Sequence, residues 1–75
     1  MLVREFLETV NPDQNVDVYM EIPDNRNIIL SQSKGNRLLH YCRKLYDIYS
    51  EESVSSVKFE IEKTRDKLNI IIDIK

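Results

Sequence analysis

The side chains in this sequence that could do chemistry crowd into its middle third, where Lys34, Arg37, His40, Tyr41, Cys42, Arg43 and Lys44 follow one another closely. A nucleophile with its base is the first possibility, since the only histidine and the only cysteine of the 75 residues stand two positions apart. On a helix that separation sets them about 200° apart around the axis, so they cannot meet as a dyad. The apolar neighbours of Cys42 predict a buried thiol packed as a small hydrophobe. No second cysteine or histidine is present to share a metal, and no acids recur at a metal-ligand spacing. A single glycine excludes a glycine-rich phosphate loop. No catalytic, cofactor-binding or metal-ligating residue is therefore assigned, and the expectation is a protein that binds rather than converts.

Two sets of residues are candidates for binding. Lys34, Arg37, His40, Tyr41 and Lys44 recur at spacings of three, four and seven, which on one helix would make a basic, partly aromatic stripe near an N-terminus whose free amides attract anions. Phosphate or an acidic protein would suit it. The second set lies on strands: Asp17, Tyr19 and Glu21 alternate with apolar residues, as do Lys58, Glu60 and Glu62. Tyr19 and Glu60 would then belong to an acidic, partly aromatic sheet face, tyrosine being well suited to interfaces. The charges divide the same way. Residues 1 to 25 hold six acids against Arg4, residues 26 to 46 hold five bases and no acid, and residues 47 to 75 hold seven acids against five bases.

The elements that would position these residues follow from apolar periodicity. Val3, Phe6, Leu7 and Val10 predict a short helix ended at Asn11-Pro12. Val16, Val18, Met20 and Ile22 alternate as a half-buried strand does, and after the turn at Pro23–Arg26 a second strand is expected over residues 27–31, where alternation is lost. Ser33 and Asn36 offer N-caps for a long helix whose buried stripe is Leu38, Cys42, Leu45 and Tyr49. Val57, Phe59 and Ile61, then Leu68, Ile70, Ile72 and Ile74, predict two more strands joined by a turn, with Ile71 interrupting the polar face of the last. The expected fold is α+β in the order α-β-β-α-β-β: a mainly antiparallel four-stranded sheet with two helices packed on one face.

Hydrophobic content of 41% with 32% charged residues belongs to a globular chain, and 75 residues make one domain. A domain this small buries only about 60–65% of its unfolded surface, so association could add to its stability, and a homodimer is open. Net charge of −2 argues against a general nucleic-acid binder. The lone cysteine, the absence of a secretory pattern at Met1–Glu5 and the lack of an apolar run of about 18 residues predict a cytoplasmic protein without a membrane segment.

The opening Met1-Leu2-Val3-Arg4-Glu5-Phe6-Leu7-Glu8-Thr9-Val10, the Asn11-Pro12-Asp13 turn and Val16-Asp17-Val18-Tyr19 resemble the start of short uncharacterised proteins of phages and prophages of Gram-positive bacteria. The closing Lys67-Leu68-Asn69-Ile70-Ile71-Ile72-Asp73-Ile74 resembles their ending. The resemblance covers about half of the chain and carries no functional residue with it. It implies a host cytoplasm as the setting and a class that works by binding and redirecting a host protein, including defence systems such as CRISPR nucleases. The expectation is thus a non-catalytic protein-binding domain. The alternative is an accessory nucleic-acid or nucleotide binder using the basic face of the second helix.

Overall fold

A computed structural model describes residues 1–10, 13–22, 25–33 and 40–74. The chain runs α1 (Val3–Glu8), β1 (Val16–Ile22), β2 (Asn25–Gln32), β3 (His40–Tyr41), α2 (Arg43–Tyr49), β4 (Val54–Glu62) and β5 (Lys67–Ile74), with one 3-10 turn at Lys63–Arg65. The α+β class is as expected. The sheet has five strands in the order β3-β2-β1-β5-β4, and it is mixed rather than mainly antiparallel, because its central pair, β1 with β5, is parallel. The physical reason is burial. β5 carries three consecutive buried isoleucines, Ile70, Ile71 and Ile72, the near-continuous apolar run of a strand covered on both faces, and such a strand belongs at the centre.

Register explains which residues reach the core. Val16, Val18 and Met20 stand beside Leu68, Ile70 and Ile72, and on this face they join Val3, Leu7 and Val10 from the α1 segment. Leu45, Tyr46 and Tyr49 of α2 pack against the same cluster. In β2 the register slips between Val18, opposite Leu30, and Tyr19, opposite Ile28, which leaves Ile29 as the extra residue of a bulge. The bulge lets Ile29 and Leu30 both be buried in succession and accounts for the missing alternation in this strand.

α1 has six residues and no side-chain cap, so its free amides find partners elsewhere. Leu2 N–H donates to the Glu5 carboxylate at 2.8 Å, while Val3 and Arg4 N–H donate to the carbonyls of Glu52 and Ser50, each at 2.9 Å. Val54 N–H donates back to Met1 at 2.8 Å, and an isolated antiparallel bridge links Leu2 to Ser53. The hydrogen bond from Arg4 to Glu51, and the charge of that carboxylate, raise the arginine pKa above its ordinary value. The start of the chain is thereby clipped to the loop before β4.

The second helix departs from expectation. It begins at Arg43, not near Asn36, because His40 and Tyr41 pair with Ser31 and Leu30 of β2, and Cys42 N–H donates to the Ile29 carbonyl at 2.7 Å. Cys42 is exposed rather than part of a buried stripe. Leu38 lies outside the described residues.

At the β4–β5 turn Asp66 adopts φ 50°, ψ 49°, a left-handed conformation that costs a β-branched residue most. Asp66→Val should lower unfolding free energy by about 1–2 kcal/mol, and Ile72→Ala, in the fully buried centre, by about 2–5 kcal/mol. Urea titrations followed by circular dichroism would measure both.

Candidate interaction surface

The proposed binding residues do not converge. Lys34 and Arg37 lie outside the described residues. His40 is in β3 beside Ser31, while Tyr41 stacks edge-on against Tyr46 with ring centroids 5.3 Å apart. Burial, with Tyr46 and Glu8 adding to it, raises the Tyr41 pKa, so the phenol is neutral at physiological pH. Lys44 is exposed on α2. Since His40 and Tyr41 are in a strand and Lys44 is in a helix, their spacing no longer describes one helical stripe. Tyr19 and Glu60 share the other face of the sheet, with β5 between them.

That open face is less acidic than the sequence suggested, because Asp17, Glu21, Glu60 and Glu62 each have a cation beside them. Glu21 is 3.8 Å from Lys58, Glu60 is 3.2 Å from Arg26, and Glu62 is 3.5 Å from Arg65. Asp17, only 2% exposed, accepts from Ser31 Oγ at 2.7 Å, Arg65 Nη2 at 3.0 Å and Lys67 Nζ at 2.8 Å. Arg26 of β2 reaches Glu60 of β4 across β1 and β5, so the sheet must curl toward this face. The pair brackets the row Ile28–Tyr19–Ile71, and Ile71 is 1% exposed even though it is on the side without helices.

The feature that periodicity did not reveal is on β4. Val57, Phe59 and Ile61 stand opposite Ile72, Ile70 and Leu68, so they belong to the helix-covered side of the sheet. Yet they are 36%, 65% and 77% exposed. Residues of α1 and α2 pack against the core cluster, and that cluster includes none of Val57, Phe59 and Ile61. A shallow hollow of about 380 Å³ continues the strip around Ile61, with Val16 and Leu68 in its floor and Asp66 and Lys67 at its rim. β4 is also a terminal strand of the sheet, so among the described residues alternate peptide groups along it have no neighbour strand. The sequence held no signal of this exposure, since α1 and α2 proved to have only six and seven residues and the sheet five strands.

Among the described residues no three His, Cys, Asp or Glu side chains gather as a metal site. No helix among them is long and apolar enough to cross a membrane. Comparison with family models, with curated proteins and with solved structures found no match to this chain.

The Asp17 cluster invites a thermodynamic test. Asp17→Asn leaves Lys67, whose side chain is 12% exposed, with its main partner gone, and should cost about 3–5 kcal/mol in unfolding free energy. Arg65 is 53% exposed, so Arg65→Met should cost less than about 1 kcal/mol. In a denaturation cycle, the double variant Asp17→Leu with Lys67→Met should recover most of the loss.

Proposed function

We propose that this chain is a small non-catalytic protein-binding domain that docks through the β4 edge and its apolar strip. The observation that carries the reading is the exposure of Phe59 and Ile61 on the side of the sheet whose other strands are buried. Scattered apolar residues on a surface are ordinary, but three in a row on an unpaired strand edge combine main-chain hydrogen-bonding capacity with apolar area. The charged residues support this choice of surface indirectly. Four carboxylates of the open face, Asp17, Glu21, Glu60 and Glu62, are paired with Arg26, Lys58, Arg65 and Lys67, which leaves little uncompensated charge there to offer a partner. The likeness of both chain ends to phage and prophage proteins supports a host protein among the partners. A nucleic-acid partner has less support, since the described members of the basic set do not share one face.

The test compares immobilised wild-type chain with Phe59→Asp and Ile61→Asp, after circular dichroism has established that all three fold. Proteins retained from a Gram-positive lysate by the wild type should be lost from both variants. Retention of the same proteins by all three columns would count against the β4 edge.

A further inference from the structure

We propose that the β4 edge takes a second copy of this chain, pairing antiparallel with its counterpart about a two-fold axis at Phe59, so that two five-stranded sheets become one. The inference rests on the reading of β4 as the docking edge and names what covers it when no other protein is bound. Three features of the strand select it. First, the free length of the edge is centred on Phe59. At one end the Leu2–Ser53 bridge, the Val54 N–H bonded to Met1, and the register slip between Val54 and Ser56 interrupt the strand; at the other the turn at Lys63 ends it. What remains is Ser56 to Glu62, whose midpoint is Phe59.

Second, that axis makes the edge complementary to itself, as a two-fold interface requires. Phe59 then faces the partner's Phe59, Val57 faces the partner's Ile61, and Lys58 faces the partner's Glu60, all in duplicate by symmetry. Glu62 falls opposite the partner's Ser56, so no like charges oppose each other. Third, neighbouring registers are poorer: an axis at Val57 sets Phe59 against the partner's Ser55 and leaves Ile61 without an apolar partner. An axis at Lys58 or Glu60 sets a charge against itself, and one at Ile61 puts Glu60 against the partner's Glu62, which is destabilising for directly opposed residues. A slip of one residue sets the apolar strip beside the partner's charged row.

Lys58 and Glu60 already lie 3.8 Å and 3.2 Å from Glu21 and Arg26, with side chains about half exposed, so pairing across the edge extends an existing row of alternating charge. The footprint is smaller than the roughly 800 Å² per partner of a standard interface, and the dimer is expected to dissociate in the micromolar range.

Sedimentation of the purified chain across the micromolar range tests this, alone and with Lys58→Glu or Glu60→Lys. Wild type should pass from the mass of one chain to that of two as concentration rises. Each variant should dimerise about tenfold more weakly, because it sets like charges opposite one another. An equimolar mixture of the two variants should recover the two-chain mass, since every opposed pair is then acid against base. A wild-type chain that stays single throughout overturns the dimer. So does a two-chain species that neither charge variant weakens, or a mixture that fails to recover. If the chain stays single while Phe59→Asp still abolishes partner capture, the dimer falls and the docking edge stands. If the same proteins are captured with and without Phe59→Asp, the docking edge falls as well.

Discussion

The parallel contact between β1 and β5 is the constraint from which the rest of the architecture follows. Val16 stands beside Leu68 and Met20 beside Ile72, so two segments from opposite ends of the described chain form the centre of the sheet. A parallel pair cannot be closed by a tight turn. The chain must leave β2 and β3 at one edge, pass through α2, and enter the sheet again at the other edge. Because β4 and β5 are joined by a short turn, placing β5 at the centre forces β4 to the outside. The apolar residues of β4 are on the core-facing side by register and beyond the helices by position.

The two faces of the sheet solve the problem of burial differently. One bears the core cluster that residues of α1 and α2 join, with α1 fastened by backbone hydrogen bonds to the carbonyls of Ser50 and Glu52. The other carries no helix among the described residues, and there Arg26 and Glu60 meet across its apolar row and Asp17 is held among Ser31, Arg65 and Lys67. The exposed Arg26–Glu60 pair contributes little to stability and acts as much to fix the curl of the sheet, whereas the buried Asp17–Lys67 pair is one the fold cannot lose by halves.

The parts of this fold that were legible in the sequence are those set by local period. Val3 and Leu7 mark the buried side of α1, Val16 to Ile22 alternate as they do in β1, and Leu68 to Ile74 place β5. Strand order was less accessible, although Ile71 between Ile70 and Ile72 carried the trace of a doubly covered strand. The start of α2 was misplaced because Cys42 and its neighbours fit a helical period equally well, and the hydrogen bond that decides the matter runs to Ile29 in another strand. Phe59 and Ile61 read as core by alternation. Their exposure depends on how far two short helices extend, a property of the assembled layers that no window of sequence contains.

The place of β5 also bears on when this protein can acquire its structure. β5 follows every other described element in the chain, so a growing polypeptide makes the β1–β2 pair and α2 before the strand that will lie between β1 and β4 exists. Until then Val16, Val18 and Met20 have half a sheet against which to pack, and β4 lacks the strand it pairs with along its length. Contacts this distant along the chain slow folding, because a long loop must close before they form. Synthesis of β5 is therefore the event that joins the two halves of the sheet, and a nascent chain halted before it would expose apolar strands rather than a smaller native domain.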